Sequence, residues 1–405
     1  MAIATTSILA AYVNIEDTAC STLYFLNAVF ISSTNLTDNN LYLETPINLT
    51  DFDLRQEVRL VLSRGVYTDS NGYYYVRVDP ENITYAYVLM EVSICSRSYK
   101  YGMNIVRRVL VDPESALQSI SGSLEEVPEG FVGRYPEDIA TSIREDFEAW
   151  LKDFNWYQNK NVSRHPLVVS VFGAYFIYLS NYIKYSANLT PRSLSEVVSR
   201  KEGDCDDMSR LLLILLWSYD IPALMLLGFV SVPDFSMRST LGNFEYVFLG
   251  GGPHAFVNAY IQGYGWLSLD FLAGSLLIYP FVVWDLSKDI EVSPESVEEF
   301  LELHESISGK QLIATLPIDD PIAGSVKALE EFINTTLDIA SSVVQPGGEK
   351  EQPLETTPMT TPITTEQARE PSSTFSIFLF IVAVIVSLFA IATLLLSLRV
   401  LKEVR

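Results

Sequence analysis

The feature that most constrains this chain is a run of 24 residues without a charged side chain, Phe375 to Leu398, rich in Ile, Leu, Val and Phe. At 1.5 Å per residue, a helix of that length spans about 36 Å, enough for a hydrocarbon layer of about 30 Å with some tilt. Arg399, Lys402 and Arg405 follow at once, while Arg369 and Glu370 stand on the other side. The positive-inside bias then places the tail 399–405 in the cytoplasm and residues 1–370 outside. Three other apolar stretches fail the same test. Pro166 to Ile183 is diluted by Ser, Gly, Asn and three Tyr, Leu211 to Pro233 is interrupted by Asp220 and Pro222, and Phe271 to Trp284 is too short. These read as core helices or buried strands.

A single anchor at 375–398 implies a folded cargo on the far side of the membrane. Such a cargo needs an export signal, yet Met1 to Val13 is apolar without a positive leading region or a convincing cleavage site. The expectation is an atypical signal or a true start further upstream. Six Asn-x-Ser/Thr sequons, at Asn35, Asn48, Asn82, Asn161, Asn188 and Asn334, fit an exposed exterior. The formal charge of −23 and the lack of any Lys/Arg run longer than two argue against nucleic acid as a partner. A hydrophobic content of 48% suffices for real cores but falls short of a polytopic membrane protein.

Organisation follows from local pattern. Residues 1–125 read as β-rich: Val58–Leu62, Tyr73–Val78 and Tyr85–Ile94 are short runs of Val, Tyr and Leu between turn signals such as Asp69-Ser70-Asn71-Gly72. This predicts a small sandwich or sheet. Pro136–Phe154 carries Ile139, Ile143, Phe147 and Leu151 on one helical face. Helical pattern continues through Phe172–Tyr185, Ser193–Ser199 and Cys205–Tyr219. Strand-like runs follow at Ala223–Val230, Phe244–Leu249, His254–Ile261 and Gly265–Leu269. Residues 130–285 therefore read as an α+β domain. Residues 286–344 read as a helical extension, with helices at Ser293–His304 and Val326–Val344. Residues 345–373 turn to Pro, Thr, Glu and Gln and form a stalk that cannot bury enough surface to fold.

Only three Cys and three His occur, which narrows the chemistry. Cys205 sits in Lys201-Glu202-Gly203-Asp204-Cys205-Asp206-Asp207, just ahead of the apolar run Leu211–Leu216. At a helix start, free backbone N–H groups and the dipole favour a thiolate, the nucleophilic form. His254 follows Gly250-Gly251-Gly252-Pro253, and Asp270 ends the run Gly265–Leu269. If these two strands pair as a hairpin, His254 and Asp270 meet near its open end. An imidazole that accepts a thiol proton and is oriented by a carboxylate is the pattern of an activated nucleophile. The competing reading of Cys205 is an inert buried thiol. A zinc site lacks any close ligand pair, so no metal is expected, and no cofactor is signalled. His165 and His304 read as structural or solvated. Cys20 and Cys95 either form one disulfide or remain two separate buried thiols.

The stretches Tyr182-Ile183-Lys184-Tyr185, Ser193-Leu194-Ser195-Glu196-Val197-Val198, Gly203-Asp204-Cys205-Asp206-Asp207 and Ile221-Pro222-Ala223 resemble the transglutaminase-like superfamily. So does His254-Ala255-Phe256-Val257-Asn258-Ala259-Tyr260 leading into Gly265-Trp266 and Asp270. The resemblance covers roughly residues 135–280. It implies a papain-like α+β core with Cys205 as nucleophile, His254 as general base and then acid, and Asp270 orienting His254. Asp220 stands where a glycine is usual, Leu224 where an arginine often follows, Phe256 for a tryptophan and Phe271 for a proline. None of these removes a catalytic group. An oxyanion hole needs donors: the Cys205 N–H is the first, and Tyr185, Trp156 and Gln158 are upstream side-chain candidates. The expected function is a thiol enzyme that acts on peptide or glutamine amides of a peptide or protein substrate. The competing class is a non-catalytic surface module on the same fold.

Overall fold

The computed structural model describes residues 19–35, 40–50, 52–79, 82–96, 103–120, 127–272 and 279–339. The apolar run Phe375–Leu398, the stalk 345–373, the tail 399–405 and the leading Met1–Val13 lie outside these residues. Among the described residues no helix is long and apolar enough to cross a membrane.

Eight strands share one sheet: β1 Ala19–Thr34, β2 Leu54–Arg64, β3 Thr84–Ser96, β4 Ala223–Leu241, β5 Phe244–Ile261, β6 Gly265–Leu269, β7 Phe281–Ser287 and β8 Ile307–Pro317. Their order is β7-β4-β5-β8-β1-β3-β2, with β6 paired to β5. β5 is the strand that matters for the site. Its first half runs parallel to β8 from Phe244 to Leu249, and its second half pairs antiparallel with β6 from Val257 to Ile261. β4 covers its other edge almost throughout.

The switch between partners falls at the glycine run. The register breaks between Leu249 and Gly251, where Gly250 has φ 65° and Gly251 φ 152°. A Cβ on Gly250 would stand 2.3 Å from the Thr315 carbonyl oxygen, and one on Gly251 would stand 2.0 Å from that of Val230. Both the conformation and the space admit only glycine, so the bulge is written into the residues.

The sequence predicts a small N-terminal sandwich or sheet and a helical segment 286–344; in the structure Asn40–Tyr42, Tyr67–Thr68 and Tyr74–Arg77 form a small sheet of their own, while the longer N-terminal strands and part of 286–344 join the large sheet. Residues 286–344 do hold the helices Pro294–Ser306 and Val326–Thr336, but between them β8 inserts between β5 and β1. β1 and β8 pair antiparallel from Leu23↔Pro317 to Thr34↔Ile307, so β1, β3 and β2 continue the same sheet. A strand buried between two neighbours need not alternate polar and apolar residues. The polar Gln311 inside β8 is satisfied by residues remote in sequence: its amide donates to Asn27 Oδ1 at 3.0 Å and to Glu44 Oε2 at 2.9 Å. Buried Gln56 of β2 stitches the halves again, donating to Val283 O at 2.7 Å and accepting from Val283 N–H at 2.8 Å. Cys20 and Cys95 face each other across β1 and β3, with Cα atoms 4.1 Å apart, and form a disulfide.

Helices pack against β4 and β5. The Cys205–Trp217 helix is buried from Asp207 to its end, because leucines and isoleucine occupy every side of Leu211–Leu216. Pro166–Leu179 packs against it, and Glu137–Leu151 adds Ile143, Phe147 and Leu151. Trp217 at the helix end donates its indole N–H to Ala223 O at 3.1 Å and fixes the entry to β4. Between them, Asp220 takes φ 57°. That left-handed turn explains why glycine suits the position, and Asp is among the residues that tolerate it.

Candidate active site

Cys205 is the first residue of its helix, and its neighbours determine how the thiol is presented. Residues Lys184–Tyr185 and Glu202–Gly203 form a short parallel pair, with Ser186 N–H bonded to Gly203 O at 2.9 Å. A Cβ on Gly203 would meet Asp207 Cβ at 2.7 Å, so the chain can enter the helix closely only without a side chain there. Behind the thiol, Ser209 Oγ donates to Cys205 O at 2.6 Å, and the buried Tyr178 hydroxyl lies 3.0 Å from Ser209 Oγ. Since Ser209 spends its proton on the carbonyl, Tyr178 is the donor of that second bond.

The acidic residues around Cys205 would oppose a thiolate if their charges reached it. The structure shows where those charges go. Asp207, buried, accepts from Arg192 Nη1 at 2.7 Å and from Arg210 Nη2, and its Oδ2 also accepts from Asp204 N–H at 3.2 Å. Arg210 Nη1 continues to Arg192 O at 2.9 Å. Buried charges persist when paired and hydrogen-bonded in this way. Burial pushes Asp204 up to about 9, helped by its hydrogen bond with Asp206 and by the charges of Asp206 and Asp207. Arg192 stands 3.7 Å from Asp204 but 2.7 Å from Asp207, so the guanidinium serves Asp207 first. The three carboxylates come within 4.8 Å of one another, a spacing a cation also uses, but here guanidinium groups neutralise Asp207.

His254 is paired across the sheet with Gly228, just beyond the glycine bulge. The last β5–β6 pair is Val257↔Leu269, so His254 and Asp270 lie at the open end of that hairpin. His254 Nε2 is 2.8 Å from Asp270 Oδ2; the carboxylate is buried and the ring 9% exposed. Asp270 Oδ1 accepts from Leu272 N–H at 3.0 Å, which holds the carboxylate still. With Nε2 engaged by Asp270, Nδ1 is the ring nitrogen left for the thiol, and the Cys205 sulfur is among the groups that raise the ring. Burial opposes charge on the ring, but the Asp270 carboxylate and the Cys205 sulfur together outweigh it and raise His254 to about 10. The ring therefore stays an imidazolium at neutral pH, the countercharge a thiolate needs.

Cys205 and His254 open onto a cleft of about 790 Å³, lined on its apolar side by Leu227, Phe235, Met237 and Trp284. Of the three side chains considered as oxyanion donors, Tyr185 lines this cleft. Burial, with the charges of Cys205, Asp204 and Asp206, raises its hydroxyl to about 12, so it remains a donor. Trp156 is instead packed on Phe172 at 4.6 Å, and Gln158 is exposed outside the cleft lining. His165 caps the Pro166–Leu179 helix by accepting from Leu167 N–H at 3.2 Å. His304 is buried against Tyr246 at 2.6 Å. The residues that sequence reasoning missed are Arg192, Arg210, Tyr178 and Ser209. Arg210 had a readable signal, lying three residues after Asp207 and four after Asp206. Tyr178 and Ser209 had none, since their roles arise where two buried helices touch.

No curated protein matches this chain in sequence. Among solved structures, a candidate cysteine protease from Cytophaga hutchinsonii is 15% identical with a TM-score of 0.37, over 75% of this chain and 93% of that one. The periplasmic domain of TgpA from Pseudomonas aeruginosa, in a form bound to ethylmercury, is 11% identical with a TM-score of 0.25, over 62% of this chain and 90% of that one. The profile of the transglutaminase-like superfamily matches residues 170–271, the stretch that contains Cys205, His254 and Asp270. Residues 170–271 thus carry a transglutaminase-like domain.

Proposed function

We propose that this chain is a membrane-anchored extracellular thiol enzyme that acts on peptide or glutamine amide bonds through an acyl-thioester on Cys205. The observation that carries the reading is the linked arrangement of the Cys205 thiol, the His254 ring and the Asp270 carboxylate, with 2.8 Å between the last two. In this reading the Cys205 sulfur bonds to the amide carbonyl carbon while His254 holds the thiol proton. The tetrahedral oxygen is received by the Cys205 N–H at the helix start and by Tyr185. Collapse breaks the C–N bond, His254 passes its proton to the leaving amine, and the acyl group stays on sulfur. Water or an incoming amine, deprotonated by His254, then attacks the thioester and releases Cys205. Hydrolysis is favoured because it needs no dedicated amine site.

In the same reading, residues 130–285 form the catalytic domain, with 1–125 and 286–344 as its support. Residues 345–373 form the stalk, 375–398 the membrane span and 399–405 the cytoplasmic tail. The Cys20–Cys95 disulfide supports an oxidising compartment for residues 1–370. Because the other two cysteines are bonded, Cys205 is the one free thiol, and an alkylating probe reports on it alone. Labelling by iodoacetamide at pH 7 is expected to vanish in Cys205→Ala and to slow at least about 100-fold in His254→Ala, in line with general-base contributions. Equal labelling of His254→Ala and the unaltered protein would mean a merely exposed thiol and point to a non-catalytic module. Mass spectrometry of a glutamine peptide, with and without added amine, separates hydrolase from transferase.

A further inference from the structure

We infer that the substrate of the Cys205 cleft is an extended polypeptide segment that docks as an added strand along the open edge of β4, Ser236–Leu241. This inference rests on the thiol-enzyme reading above and names the substrate class of that site. β4 is paired with β5 along nearly its whole length, but β7 covers its other edge only from Met225 to Val230. One further bond, Ser231 N–H to Pro280 O at 2.8 Å, closes that pairing. From Ser236 to Leu241 the backbone pairs with Leu249–Phe244 on one side, and among the described residues no backbone bond reaches the other side.

Open edges are normally blunted by charge, proline or a covering element, because they template pairing with any extended chain. Here a bulge carries the chain from the covered to the open part of β4: residues 232–235, with Asp234 at φ 62°, fall where the register breaks opposite Gly250. Beyond it the edge offers apolar side chains, Phe235 at 41% and Met237 at 37% exposure. Phe235, Met237 and Ser239 line the same cleft as Cys205 and His254. On the other side-chain parity, Arg238 is tied to Glu245 at 2.9 Å and to Thr336 O at 2.7 Å, so the edge is held in place as a template.

Length argues for a polypeptide. In register, Ser239 lies opposite Tyr246 and Gly228 opposite His254. Tyr246 and His254 are eight positions apart on β5. At about 3.3 Å per residue the cleft therefore extends up to about 26 Å from the thiol, room for about six to eight extended residues. A lone amide side chain fills a small part of that. In strand addition the main chain supplies affinity, and pockets for alternate side chains supply selectivity. Apolar residues at every second position are thus the expected preference.

The test is amide hydrogen exchange on the full Cys205→Ala chain in detergent, with reduced and carboxymethylated casein as an unfolded probe. Unchanged protection of the Cys205–Trp217 helix verifies that the variant is folded. With casein at ten times its dissociation constant, alternate amides of Ser236–Leu241 are expected to exchange about 11-fold more slowly. Exchange there that does not change on adding casein overturns the inference, whether or not the unaltered protein turns casein over. Slowed exchange without turnover leaves the docking edge standing and sinks the thiol-enzyme reading instead.

Discussion

Replacing Asp270 by Asn isolates what the carboxylate does for the site. The amide keeps the size of the carboxylate and removes its charge. In the intact protein the Asp270 carboxylate, 2.8 Å from His254 Nε2, is the chief reason that the ring titrates at about 10 despite burial that works against its charge. Without that charge, burial is opposed by Cys205 alone, and the midpoint is expected to fall well below 10. The interval from 6.5 to about 10 corresponds to about 5 kcal/mol at about 1.4 kcal/mol per pH unit. The sign follows from linkage. A group whose folded pKa is raised adds stability that is fully present below pH 6.5 and is lost as pH climbs towards 10. Unfolding by urea at pH 6 and at pH 10 should show the unaltered chain losing several kcal/mol across that window and Asp270→Asn losing much less. NMR of the imidazole carbons of His254 measures the midpoint directly. A midpoint that stays near 10 in Asp270→Asn would refute the argument, because the carboxylate would then not be its cause. At pH 7 the variant should also alkylate slowly at Cys205, since the neighbouring His254 ring is then less often protonated.

Three further outcomes are expected. Replacing Cys20 and Cys95 together by Ser removes a cross-link between residues 75 apart in sequence and should cost about 2–5 kcal/mol in chemical denaturation, with slower effects on Cys205 labelling than on stability. Arg210→Ala strips one of two guanidinium partners from the buried Asp207 carboxylate and should destabilise by about 3 kcal/mol, measured by denaturation, while the surface Arg55–Glu57 pair should tolerate loss within about 0.5 kcal/mol. Gly251→Ala forces a Cβ to within 2.0 Å of Val230 O at φ 152°, so the bulge must shift and carry His254 with it. Alkylation of Cys205 in Gly251→Ala should therefore slow by at least about 10-fold even where the variant still melts cooperatively.

The residues themselves determined a good deal. Cys205, His254 and Asp270 could be singled out because the helix-start placement of the thiol, the glycine run before His254, the runs His254–Ile261 and Gly265–Leu269 and the motifs that resemble the transglutaminase-like superfamily are local features. Local features are set by neighbours within a few positions. Helices such as Glu137–Leu151 and Cys205–Trp217 were legible for the same reason, as an apolar period and a capped start. The sequence also assigns the 24 uncharged residues from Phe375 a length that suits a bilayer, a matter of arithmetic on one segment.

Tertiary structure alone decided the rest. The sequence reads the N-terminal strands as a small sandwich or sheet and residues 286–344 as helical, yet β8 joins β1, β2 and β3 to the strands of the site in one sheet, tied further through Gln311, Asn27 and Glu44. Long-range pairing of this kind leaves no period in the chain, because a strand covered on both edges and faces has no reason to alternate. The neutralisation of Asp207 by Arg192 and Arg210, the support of the Cys205 carbonyl by Ser209 and Tyr178, and the open edge at Ser236–Leu241 are likewise invisible until the elements pack. Each depends on which surfaces meet, a property of the fold's contacts across tens to hundreds of residues and not of any stretch of sequence read alone.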